Sequence, residues 1–115
     1  MTTTIYHNPR CSKSRATLAL IRENGVEPEI VRYLETPPDA HTLKDLTALL
    51  GCSVRDMMRT GEDLYRQLGL KDRALSEQAL IDIVAANPRL LERPIVVKGR
   101  RAALGRPPHN VLSIL

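Results

Sequence analysis

The chain contains no phenylalanine and no tryptophan, and only three tyrosines. Platforms for base stacking are therefore scarce, which argues against nucleic acid as a partner despite the net charge of +4. Cysteine is limited to Cys11 and Cys52, far apart in sequence. That is no disulfide framework, and a reducing, cytoplasmic setting is expected. No apolar run approaches the ~20 residues that span a bilayer. Nor does a basic segment lead into an apolar stretch at the N-terminus, so neither membrane nor export signal is expected. His7, His41 and His109 are scattered, and with the two cysteines they form no metal-ligand spacing. The glycines form neither G-x-G-x-x-G nor a G-K-[ST] loop, which leaves nucleotide binding unsupported. Repeats, linkers and low-complexity tracts are absent as well. What remains is one domain's worth of chain, 115 residues, whose core must come from Leu, Ile and Val.

The most informative stretch that is present runs from Ile5 to Arg15. Thr3 to Tyr6 is β-branched and aromatic, which suits a strand, and Asn8-Pro9 breaks it. From Ser12 the spacing of Ala16, Leu18, Leu20 and Ile21 predicts a helix that stops at Asn24-Gly25. Cys11 then sits where unpaired backbone N–H groups and the positive end of a helix dipole converge. Such a position favours a thiolate and attracts oxyanions. Lys13, Arg15, Arg10 and His7 are candidates to add positive charge nearby, and Ser12 or Ser14 is expected to cap the helix.

Further along, Pro28–Tyr33 reads as a second strand, parallel to the first through the intervening helix. Thr36-Pro37-Pro38 stops it. Asp39 then caps a helix over about Ala40–Leu50, with Leu43, Leu46, Leu49 and Leu50 inward and Gly51 at its end. Short helical pieces follow at Val54–Arg59 and Leu64–Leu68, and Ser76 opens another helix to about Ala86. Ile95-Val96-Val97, Lys98-Gly99 and Arg101–Leu104 spell an antiparallel hairpin, and Pro107-Pro108 begins a last helix. The order is α/β: a mixed sheet of thioredoxin-like type. One domain is expected over residues 1–115, with a helical subdomain inserted at about 39–91.

Basic residues crowd the C-terminal part, with Arg93, Lys98, Arg100, Arg101 and Arg106 and no acid among them. Lys98, Arg100 and Arg101 read as solvated hairpin residues. Arg93 and Arg106 each precede a proline and flank the apolar strands, which points to a small anion as partner.

Tyr6-His7-Asn8-Pro9-Arg10-Cys11, then Arg15, Tyr33-Leu34-Glu35-Thr36-Pro37-Pro38 and Arg93-Pro94-Ile95-Val96-Val97 together resemble the ArsC family, the glutaredoxin-linked arsenate reductases. The likeness runs from about Ile5 to Leu115 and is greatest to the short, YfgD-type members. It implies Cys11 as nucleophile and Arg59, Arg93 and Arg106 as the residues that bind the oxyanion. His7, Asn8, Ser14 and Arg15 would support the cysteine, and Pro94 would be the cis-proline facing it. Guanidinium suits the task because its planar fork donates in pairs and keeps its charge. Arg55, four residues from Arg59, competes for the same role on one helical face.

The resemblance also implies a reaction. Cys11 attacks arsenate, glutathione acts as co-substrate, and glutaredoxin resolves the resulting mixed disulfide; no bound cofactor or metal is implied. Ser14 stands where a C-x-x-C pair would place its second cysteine, so an external thiol is needed. Cys52 reads as a buried or half-buried structural cysteine. Two alternatives share the fold: an Spx-like regulator that binds RNA polymerase, and a glutathione-dependent thiol oxidoreductase without arsenate activity. Arg10 and Lys13 add charge beyond the best-known arsenate reductases, which leaves another oxyanion open.

Overall fold

In the computed structural model, which describes residues 1–115 throughout, the chain divides into two compact units. One comprises Met1–Thr36 with Arg93–Leu115, the other Pro37–Glu92.

The first unit is built on a four-stranded sheet of order β2-β1-β3-β4. Strand β1 (Thr3–His7) buries Thr3, Ile5 and His7, every second side chain, as a strand with one covered face must. Strand β2 (Glu29–Arg32) runs parallel to it, and β3 (Ile95–Lys98) antiparallel on its other side. Strand β4 (Arg101–Leu104) pairs with β3 through a tight turn in which Gly99 takes φ +61°. A glycine first in a two-residue hairpin loop supplies the twist that the strands need. β2 is shorter than the predicted Pro28–Tyr33. Pro28 has no N–H for the ladder, and Tyr33 lies in a turn closed by the Glu35 and Thr36 N–H groups on the Arg32 carbonyl, both at 2.9 Å.

Helix α1 (Ser12–Glu23) connects the parallel pair and ends as expected at Asn24, with Gly25 left-handed at φ +78°. Its buried face differs from the apolar spacing. Ser14, Thr17 and Ile21 are buried, Leu18 and Leu20 only partly, and Ala16 is exposed. The first turns bury hydroxyls because those hydroxyls meet loop carbonyls and amides rather than core. Ile21 joins Ile5, Val96, Val111 and Ile114 in the apolar cluster that α1 and the last segment form on the sheet. That last segment, Pro108–Ile114, is 3-10 helix. Asn110 N–H reaches the Pro107 carbonyl at 3.1 Å, the short i→i+3 closure.

The second unit is helical. α2 (Ala40–Leu50) is capped by Asp39, which accepts from Thr42 N–H at 2.8 Å, and ends at left-handed Gly51. Leu43 and Leu46 are buried, whereas Leu49 and Leu50 are only half covered. α3 is Asp63–Gln67, and α4 is Glu77–Ala86 with Ser76 as cap. Between α2 and α3, the piece expected over Val54–Arg59 is a 3-10 turn of Val54–Met57 only. Met58 is extended and bridges to Leu91, and Arg59 N–H donates to the Leu90 carbonyl at 2.7 Å. Backbone pairing with the Leu90–Leu91 segment therefore outcompetes continued helix, and Arg59 does not share a helical face with Arg55. No helix of the molecule is long and apolar enough to cross a membrane.

Candidate active site

The turn after β1 is fixed by its own backbone. Cys11 N–H donates to the Asn8 carbonyl at 3.0 Å, and the Asn8 side chain accepts from Arg10 N–H at 3.0 Å. Arg15 reaches back from α1 to the Pro9 carbonyl at 2.9 Å. Cys11 is the N-cap of α1, with extended backbone at φ −93° and ψ 123°. Neither Ser12 nor Ser14 caps the helix as expected; they lie inside it.

Ser14 instead faces inward. It is fully buried, its Oγ accepts from Asn8 N–H at 3.0 Å, and it stands 2.6 Å from His7 Nδ1. We assign the Ser14 O–H as donor to Nδ1, which puts the imidazole proton on Nε2. Burial pushes the His7 pKa down, and the charges of Arg32, Arg22 and Arg15 push it further. Both effects oppose the positive charge expected of His7. Its contribution is to lock the end of β1 to the first turn of α1.

Cys11 is 8% exposed. Burial alone raises its thiol pKa, but the Ser14 N–H, the Arg93 charge, the Lys13 N–H and the Arg106 charge outweigh it, and the net shift is downward. The Cys11 side chain makes no cap hydrogen bond of full geometry, yet the two amides are close enough to favour the anion. Arg106 Nη1 lies 4.0 Å from the sulfur and donates to the Arg93 carbonyl at 3.3 Å. Cys11 and Arg106 are 95 residues apart in sequence. The fold thus brings Cys11, Arg93 and Arg106 together, with His7, Asn8, Ser14 and Arg15 shaping the loop. The Arg93–Pro94 bond is cis, as the resemblance implies, and so is Arg106–Pro107.

Arg59 belongs to the helical unit. There its guanidinium pairs with Glu62 at 3.2 Å, and Glu62 also draws Arg89 to 3.7 Å. Its competitor is otherwise engaged, since Arg55 donates to the Leu70 and Asp72 carbonyls at 2.8 and 2.6 Å. Cys52 is half-buried and free, and burial, Asp56 and Glu77 push its thiol pKa up. Those shifts favour the thiolate at Cys11 over Cys52. Arg100 and Arg101 are exposed as expected, but Lys98 is half-buried and donates to the Leu115 carbonyl at 3.1 Å.

Two residues near the site were not expected. Gly105 is buried, and its N–H donates to the Pro94 carbonyl at 2.9 Å. A Cβ there would stand 2.6 Å from Thr17 Oγ1 and 2.8 Å from Pro94 Cγ, so only glycine fits. Thr17 is fully buried; its hydroxyl donates to the Lys13 carbonyl at 2.8 Å and lies 3.4 Å from the Gly105 carbonyl. Gly105 was readable as part of Gly105-Arg106-Pro107, whereas Thr17 gave no signal.

Cys11 stands at a helix start, faced by arginines that flank the hairpin, and the sequence around it matches the ArsC family model over residues 6–114. The chain belongs to the ArsC family. Among ArsC relatives, the "Uncharacterized protein YfgD" of Escherichia coli K12 is 62% identical over 112 residues, 96% of this chain and 94% of that protein. An arsenate reductase of Neisseria meningitidis serogroup A is 52% identical over 112 residues, covering 96% of both chains. Among solved structures, an arsenate reductase from Vibrio cholerae superposes with a TM-score of 0.98 at 52% identity, covering 100% of this chain and 98% of that one. The fold of this ArsC member is the thioredoxin-like α/β fold expected from its sequence.

Proposed function

We propose that this ArsC member is an arsenate reductase that uses Cys11 as nucleophile and glutathione with glutaredoxin as reductant. The observation that carries the reading is the Arg106 guanidinium 4.0 Å from a sulfur whose pKa is lowered. Arsenate is a tetrahedral oxyanion, and the helix start with Arg93 and Arg106 beside it is a seat for that charge. Arg59 completes the arginine trio on the strength of the family motif.

In the first step the Cys11 thiolate attacks arsenic, an S–As bond forms and water leaves. The arginines act by stabilising the negative charge that gathers on the arsenate oxygens. In the second step a glutathione thiolate attacks the Cys11 sulfur. The S–As bond breaks with its electron pair passing to arsenic, which falls from +5 to +3 and leaves as arsenite. The thiol proton ends on an arsenic-bound oxygen, and a Cys11–glutathione disulfide remains. A glutaredoxin thiolate then attacks the glutathione sulfur and releases Cys11 as the low-pKa leaving group.

The test is arsenate-dependent NADPH oxidation with glutathione, glutaredoxin and glutathione reductase. Turnover is expected for the native chain and for Cys52→Ser, and none for Cys11→Ser. A folded native chain with no arsenate-dependent oxidation overturns the reading.

A further inference from the structure

Helix α1 carries Cys11 at its start, whereas Arg93 and Arg106 sit on segments that arrive from the other end of the sequence. Something must set the spacing between them, because a guanidinium displaced by about 1 Å can cost a site much of its effect. One contact between these parts runs through three residues. Thr17 projects from the second turn of α1, Pro94 follows Arg93, and Gly105 precedes Arg106. Gly105 N–H is held on the Pro94 carbonyl at 2.9 Å, and Thr17 Oγ1 stands 3.4 Å from the Gly105 carbonyl. The absence of a side chain at 105 lets Thr17 approach this closely. Thr17 is also the only fully buried threonine, 0% exposed, although its single hydrogen already has a partner in the Lys13 carbonyl at 2.8 Å. A hydroxyl bonded back to the preceding turn commonly faces any surface of a helix. Here it is lodged against the backbone that bears Arg106.

We infer that Thr17 is a positioning residue for the reacting cysteine: its hydroxyl, seated between the Lys13 and Gly105 carbonyls, sets the distance from the α1 helix to Arg106, and so from Cys11 Sγ to the guanidinium. The inference deepens the function proposed above and rests on that reading only for its anion measurement; its thiol measurement stands on the Cys11–Arg106 geometry alone.

The experiment uses the full chain in a Cys52→Ser background, so that Cys11 is the only thiol. It compares native Thr17 with Thr17→Val, which keeps the shape and removes the hydroxyl, and with Thr17→Ser, which keeps the hydroxyl. The pH dependence of Cys11 alkylation by iodoacetamide is read for each, together with the arsenate concentration that half-protects Cys11 and the melting temperature. In Thr17→Val the alkylation midpoint is expected to move upward, toward that of Arg106→Ala, and half-protection to need about tenfold more arsenate. Thr17→Ser is expected to stay near the native profile. In an Arg106→Ala background, Thr17→Val is expected to move the midpoint no further, because its effect passes through Arg106.

A folded Thr17→Val with the native alkylation profile overturns the inference, even if its melting temperature has dropped, since that is what a purely structural threonine would give. So does an undiminished shift in the Arg106→Ala background. Thr17→Ala carries the same expectation if Thr17→Val does not fold. Should arsenate fail to protect even the native chain, the proposed substrate falls, and the alkylation profiles still decide the role of Thr17.

Discussion

Arg106 Nη1 stands 4.0 Å from Cys11 Sγ while donating to the Arg93 carbonyl at 3.3 Å, so one guanidinium links the thiol to the segment that carries the second arginine. Removing it takes away a charge that lowers the Cys11 pKa. In Arg106→Ala the midpoint of the pH–alkylation profile is expected to rise, with slower reaction at neutral pH. Arg106→Lys retains a charge but not the planar fork, and is expected to fall between the two. Unchanged profiles in both variants would contradict the electrostatic role.

Ser14 separates stability from reactivity. Its backbone N–H lowers the Cys11 pKa, whereas its hydroxyl serves His7 and Asn8 N–H. Ser14→Ala leaves the buried His7 Nδ1 and the part-buried Asn8 N–H without this partner, a loss of about 1–3 kcal/mol. Urea unfolding is expected to show that cost, while the alkylation midpoint moves far less than in Arg106→Ala.

His7 gives the fold a pH dependence whose sign follows from its lowered pKa. The unfolded chain takes up a proton near pH 6.5, the ordinary value, whereas the folded chain resists it to lower pH. Between those two pKa values the unfolded state holds more protons, so this contribution to stability is complete above 6.5 and is lost as pH falls through the folded value. His7→Gln is expected to flatten that part of the stability–pH curve measured by denaturant unfolding. A curve of unchanged slope below 6.5 would show that His7 is not buried neutral.

Gly105→Ala drives a methyl group into Thr17 and Pro94. Overpacking of this kind costs about 1–3 kcal/mol. The expected outcome is a lower melting temperature accompanied by a raised Cys11 alkylation midpoint, because the displaced segment carries Arg106.

Arg55 and Arg59 are expected to part company. Arg55→Ala strips the Leu70 and Asp72 carbonyls of their donor and should lower stability by about 1–2 kcal/mol. Arg59→Ala loses a half-exposed pair with Glu62, worth little to the fold. Its expected signature is weaker protection of Cys11 by arsenate at nearly native stability.

Local chemistry made the strands, the α1 stop at Asn24-Gly25, the Asp39 and Ser76 caps and the hairpin legible, since each depends on a few adjacent residues. Cys11 was legible for the same reason: its place at a helix start is written in the residues on either side. The limits of the 3-10 turn at Val54–Met57 were not legible, because pairing with Leu90–Leu91 ends it. Nor was the lowered pKa of His7, which follows from tertiary burial and three arginines. The inward face of Ser14 and Thr17 ran against apolar spacing, as it must where a helix covers loop backbone instead of core. The pairing of Arg106 with Cys11 crosses 95 positions and came from family likeness rather than spacing.

The most direct measurement is a single turnover. The chain is mixed with arsenate and glutathione in the absence of glutaredoxin, and arsenite and protein-bound glutathione are quantified together. Arsenite and a glutathione disulfide are expected in equal amounts, with the disulfide mapped to Cys11 by mass spectrometry. Absence of arsenite from the folded chain, or arsenite formed without modification at Cys11, would contradict the proposed mechanism.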